Sequence, residues 1–170
     1  MQNFIIRITQ ENADLVNHSA IGCFILPDTL DAAFVDEFIL KAHAQNKLVL
    51  TDGENALNFY TVHGADGLIL DVSKSEQPHK QVKEVQKKAP RAILGVVSRN
   101  RRHEAMLISE CEPDFVIFKV WQSGFEANKE LLTWYSELFL IQCAAQIEEA
   151  CDYAALPVDF VILNDSDFKV

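Results

Sequence analysis

Nine polar side chains stand where apolar runs of this sequence give out: Asp28, Thr51, Asp52, Asp71, Ser98, Lys119, Gln142, Asn164 and Asp165. Carboxylates gathered at such points can hold a divalent cation or a cationic ligand through their hard oxygens. The same residue types also cap helices and organise turns, so each has a plain structural alternative. Lys119 differs, because it lies inside the apolar run Phe115–Val120, where an ammonium is costly unless an acid pairs with it. Thiol and imidazole chemistry find less support. Cys23, Cys111, Cys143 and Cys151 form no CxxC pair and no zinc-like grouping with histidine, and Cys23 and Cys143 sit in apolar runs as small hydrophobes. The five histidines fall in helix or loop contexts and are assigned no metal.

The elements that must position these groups follow one rhythm. Short, nearly continuous apolar runs occur at Phe4–Ile8, Ile21–Leu26, Leu48–Leu50, Gly67–Val72, Ala92–Val97, Phe115–Val120, Leu138–Cys143 and Phe160–Leu163. Runs that do not alternate with polar residues are the mark of parallel strands covered on both faces. Between them the period becomes helical. Phe34, Val35, Phe38, Ile39 and Ala42 make one stripe, and a second starts at Leu57 and stops at His63-Gly64. Further helices are expected around Ala105–Ile108, Leu131–Tyr135 and Ile147–Ala155, the last stopped by Pro157. Eight strands in alternation with helices predict an α/β fold, a compact (β/α)8 barrel forming a single domain over residues 1–170. Two departures are expected: a short first βα unit, and no closing helix after the eighth strand. A barrel so thinly covered on one flank predicts a homodimer or other oligomer.

Composition narrows the classes of partner. Fifteen Lys and Arg against 25 Asp and Glu leave a formal charge of −10, which repels phosphate backbones and anionic lipid. Neither nucleic acid nor membrane is expected as a partner. The basic stretch Arg99–His103 reads as a solvated helix start. No run is long enough to span a bilayer, and the first residues lack the pattern of a signal peptide, so a cytoplasmic location is expected.

In order along the chain come Leu48-Val49-Leu50-Thr51-Asp52, Gly64-Ala65-Asp66-Gly67-Leu68-Ile69-Leu70, Ile93-Leu94-Gly95-Val96-Val97-Ser98 with Glu104-Ala105, and Pro113-Asp114-Phe115-Val116. This series resembles the thiamine phosphate synthase family and its TenI-like relatives. The resemblance implies a (β/α)8 barrel that joins a pyrimidine pyrophosphate to a thiazole phosphate with magnesium. It also implies that Asp52 stands at a metal-binding aspartate, with Thr51 in place of the family's asparagine. Several family positions are altered. Phe24-Ile25-Leu26-Pro27-Asp28 replaces a strand end that carries two cations, and Lys74 replaces the second metal-binding aspartate. Cys143-Ala144-Ala145 stands where glycine amides would take a phosphate, and Asn164, Asp165 and Asp167 follow the eighth strand.

These replacements predict a small-molecule-binding or regulatory barrel that has lost catalysis and carries no cofactor. The alternatives are an active, diverged thiamine phosphate synthase using Mg²⁺ at Asp52, and a structural barrel that forms oligomer contacts. Trp121 and Phe125 are expected either to close over the ligand or to pack a helix.

Overall fold

The computed structural model describes residues 3–169; Met1, Gln2 and Val170 lie outside it. Eight parallel strands close in chain order: β1 (Asn3–Arg7), β2 (Ile21–Pro27), β3 (Leu48–Asp52), β4 (Gly67–Asp71), β5 (Ile93–Val97), β6 (Phe115–Val120), β7 (Gln142–Ile147) and β8 (Phe160–Asn164). The ring is sealed by β8 pairing with β1, with Ile5 beside Ile162 and Arg7 beside Asn164. This is the α/β barrel expected from the eight apolar runs.

Successive side chains of a strand point to opposite faces, so each strand serves two cores. One cluster takes residues from all eight strands (Ile5, Ile25, Leu50, Ile69, Val97, Ile117, Ala144 and Ile162 among them) and fills the barrel interior. The alternate residues face outward. Phe24, Val49 and Val161 join α1 (Ala32–His43), and Val96, Phe118 and Ala145 join the side that carries α4 (Arg102–Glu110) and α5 (Phe125–Leu138). Asp31 caps α1 by accepting from Ala33 N; Gly64 ends α2 (Ala56–His63) in the left-handed conformation, where the sequence placed that helix's stop.

The helix cover departs from expectation in three places. A helix α3 (Pro78–Lys88) follows β4; its apolar stripe is sparse, Pro78, Val82 and Val85 set among polar and charged residues, and it went unread. The seventh strand is not Leu138–Cys143 but Gln142–Ile147. Leu138 ends α5, Phe139 stacks on Tyr135 at 4.8 Å, and Leu140 is fully exposed. Because Ile147 belongs to that strand, the helix expected over Ile147–Ala155 shrinks to one 3₁₀ turn, Tyr153–Ala155.

The first unit is short, as expected, and among the described residues no α-helix follows β8. Between β1 and β2 lies only a 3₁₀ turn (Asp14–Asn17) that buries Val16, and after β8 the described residues hold another, Asp165–Asp167. Aromatic edges close this flank. Phe4 meets Tyr153 at 6.1 Å and Phe168 at 5.6 Å, and the His18 ring meets Phe168 at 5.2 Å. Buried Lys47 donates to the Val16 and His18 carbonyls at 2.7 Å, which pins the first connection. Among the described residues no helix is long and apolar enough to cross a membrane.

Glycine is needed where β4 and β5 lie closest. A Cβ on Gly67 would run into the Ile93 carbonyl oxygen, which is backbone and cannot swing aside. Gly67→Ala is expected to destabilise the barrel by about 1–3 kcal/mol or more. Gly22→Ala, with open space at its Cβ, should change stability by less than about 0.5 kcal/mol. Urea unfolding of both variants checks this; equal stabilities would mean the strands are not so closely apposed.

Candidate functional site

Two residues above the interior cluster, the inward positions of the strands form a ring at the C-terminal mouth, the end where barrels of this class carry their chemistry. Here that ring turns polar: Arg7 on β1, Asp52 on β3, Asp71 on β4, Lys119 on β6 and Gln146 on β7. All five line one cavity of about 510 Å³, floored by Ile69 and Val97 and flanked by Glu54 and Gln81.

The mouth is held by two ion-pair groups. Arg7 Nη1 lies 2.5 Å from Asp52 Oδ2. Opposite, Lys119 Nζ lies 3.6 Å from Asp71 Oδ2 and 3.9 Å from Glu148 Oε1, while Gln146 Nε2 donates to the same Glu148 oxygen at 3.0 Å. Lys119 thus has the acidic partner that its place in an apolar strand requires. Asp52 is buried, and its Oδ1 has no hydrogen-bond partner among the described residues. Burial pushes the Asp52 carboxyl above the usual aspartate range. The Arg7 guanidinium pulls it back, and the charges of Asp28 and Asp71 push it up again.

Of the nine residues singled out in the sequence, Asp52, Asp71 and Lys119 meet in this cavity. The others do other work. Thr51 faces outward, fully buried, and donates from Oγ1 to the Ala56 carbonyl of α2, because it precedes an inward residue on the strand. Asp28 accepts from Asn55 N at 2.8 Å and packs against Gly53, whose missing side chain leaves room for it. It organises the loop after β3; its backbone N–H donates to the Asp52 carbonyl at 3.0 Å, and its carboxylate acts on the Asp52 carboxyl through its field. Ser98 is buried with its hydroxyl donating to the Arg99 carbonyl. Asn164 ends β8 beside Arg7 without lining the cavity. Asp165 accepts from Thr9 N, Thr9 Oγ1 and Ser166 N, tying the end of β8 to that of β1.

Gln142 needs correction: it begins β7 opposite Phe115, at the far end of the barrel, and Gln146 holds the mouth position. The four-residue slip of the seventh strand accounts for the error. Arg7, Glu54, Gln81, Gln146 and Glu148 were missed. Arg7 was detectable, since it is a charge embedded in the apolar run Phe4–Ile8 on the same grounds that singled out Lys119. Trp121 is partly exposed beyond β6, and Phe125 packs with the helix layer, so neither closes the cavity.

Nucleophilic thiol chemistry has no seat here. All four cysteines are free, and burial pushes the Cys23 and Cys143 thiols up to about 12. Asp52 is engaged by a guanidinium, Asp71 by an ammonium, and among the described residues no three His, Cys, Asp or Glu side chains gather as a metal-holding group.

No protein-family model and no curated protein matches this chain. Solved structures do. A 3-keto-L-gulonate-6-phosphate decarboxylase from Vibrio cholerae is similar with a TM-score of 0.70 and 12% identity, covering 97% of this chain and 89% of that one. A glycerol uptake operon antiterminator regulatory protein from Listeria monocytogenes gives 0.64 and 13%, covering 98% and 95%. A glycerol uptake operon antiterminator-related protein from Thermotoga maritima gives 0.60 and 18%, covering 95% and 94%. At such identities the likeness establishes the barrel fold, and the chemistry must be read from this chain's own mouth. Asp52 dominates that mouth. A carboxyl raised on folding adds stability at low pH that is lost as the pH climbs through its folded value. Asp52→Asn is therefore expected to gain stability relative to the wild type as the pH rises from about 3.9 through the raised value. Urea unfolding of both proteins across that range checks it; a variant whose stability relative to the wild type stays level or falls as the pH rises would contradict the assignment.

Proposed function

We propose that the barrel binds a small, non-phosphorylated molecule in its mouth and acts as a binding or regulatory protein, without the synthase reaction its sequence resembles. The observation that carries this reading is how the mouth's donors are used. Where a phosphate would need open amides, Thr9 N and Ser166 N are bonded to Asp165, and Ser123 N and Oγ lie within 3.5 Å of Glu149. The chain's own carboxylates occupy those donors. An incoming phosphoryl group would meet anions as well: at 4 Å each such pair costs about 1 kcal/mol in water and several times that in a cleft. Among the similar folds the Listeria barrel is named as regulatory, so such a role lies within the repertoire of this architecture.

The second reading, an active and diverged thiamine phosphate synthase, draws on Asp52 alone, whose unpartnered Oδ1 sits at the family's metal-binding aspartate. The paired cations weigh against it, as does the lack, among the described residues, of three metal-holding side chains in one group. Purified protein incubated with the family's two phosphorylated substrates and Mg²⁺ separates the two readings. Pyrophosphate release is expected to stay at background. Release well above it, abolished by Asp52→Ala, would overturn the proposal.

A further inference from the structure

Charge is placed unevenly around the barrel wall. Residues 74–91, which hold α3 and its flanking loops, carry six cations (Lys74, Lys80, Lys83, Lys87, Lys88 and Arg91) against Glu76 and Glu84, a local charge of +4 in a chain of −10. All six cations are exposed, and among the described residues none is in an ion pair. Pro78 and Val82 turn one side of α3 to the barrel. Lys80, Lys83 and Lys87, spaced three and four residues apart, therefore share the solvent side. Like charges at that spacing repel one another and weaken a helix. An anionic partner would offset that cost.

The opposite flank has the converse character. In a ring of eight strands closed in chain order, the junction of β8 and β1 lies four strands from the junction of β4 and β5, which α3 bridges. That is the flank with no α-helix among the described residues. Its segments, residues 8–20, 148–159 and 165–169, hold eight acids against Lys169 alone. Asp14, Asp152 and Asp167 are exposed there and, among the described residues, are paired with no cation. Two cavities open along this flank. One of about 300 Å³ is lined by Gln10, Asn12, Asp14 and Asp165; the other, of about 460 Å³, is lined by Phe4, His18, Tyr153, Asp167 and Phe168. The rings of the second are half-buried, and aromatic faces attract ammonium groups as carboxylates do.

We propose that the chain associates with itself head to tail, the lysine face of α3 in one copy docking on the acidic flank of the next. The two surfaces are complementary in charge, and their placement on opposite sides of the barrel keeps them apart within one chain. The contact is therefore heterologous: each copy leaves one surface of each kind free, and the assembly grows with concentration rather than stopping at two. The mouth lies at the end of the barrel and takes no part, so this inference stands apart from the reading of the mouth as a small-molecule site.

Sedimentation velocity of the full chain over a range of protein concentrations, at about 20 mM and about 500 mM NaCl, tests this. At low salt the average mass is expected to rise with concentration past that of two chains, and at high salt to fall back toward one. Reversing the basic face (Lys80→Glu, Lys83→Glu and Lys87→Glu together) should leave a single chain at low salt. Reversing the acidic flank (Asp14→Lys, Asp152→Lys and Asp167→Lys together) should do the same. All six positions are exposed, so both variants are expected to keep the fold. An equimolar mixture of the two should associate again, because each reversed surface then meets one of opposite sign. A wild-type chain that stays single at low salt, a particle that stops at two, or association indifferent to either reversal would overturn the inference. So would a single chain that binds a single-stranded oligonucleotide or anionic vesicles through the three lysines, which would give α3 a different partner.

Discussion

The Arg7–Asp52 pair sets the character of this protein. It joins the first and third strands across the barrel mouth, with the pairing oxygen 2.5 Å from the guanidinium. A carboxylate so buried would be unaffordable alone, and the guanidinium is what makes it tolerable. The pair exists because the barrel closes. Ile5 and Leu50 occupy the interior, so the residues two further along, Arg7 and Asp52, must also point inward, one layer higher. Strand closure, interior packing and mouth electrostatics are thus one constraint seen at three levels.

The same parity explains the second ion-pair group. Above Ile69 stands Asp71, above Ile117 stands Lys119, and above Ala144 stands Gln146. An ammonium in this layer is acceptable because Asp71 and Glu148 both reach it. What distinguishes this mouth from one built for phosphate is the direction of its donors. The amides after β8 and β1 are turned onto Asp165, and the loop after β6 is turned toward Glu149. Among the buried side-chain polar atoms of the described residues, the one left unmatched is an acceptor, Asp52 Oδ1.

Much of this was legible in the sequence, because continuous apolar runs can be buried on both faces only in a covered parallel sheet. Seven of the eight strands fall on the runs that announced them. The seventh was misplaced for a physical reason. Leu138-Phe139-Leu140-Ile141 is apolar, but Leu138 and Leu140 are exposed and Phe139 serves the helix layer, whereas the true strand, Gln142–Ile147, is built from small residues of weak strand preference. That slip moved Gln142 to the wrong end. Thr51 and Ser98 were misjudged because lying near a strand end does not settle which face a side chain takes. Arg7 lies inside its apolar run rather than at the point where the run gives out, so a reading of strand ends does not reach it.

The most direct measurement is a titration of the Asp52 carboxyl carbon by NMR in the ligand-free protein. A buried carboxylate with one oxygen unmatched predicts a midpoint above the ordinary aspartate value of about 3.9. A midpoint at or below that value would mean that the Arg7 pair and solvent fully satisfy the group, and the mouth would then hold no unmet demand for a donor.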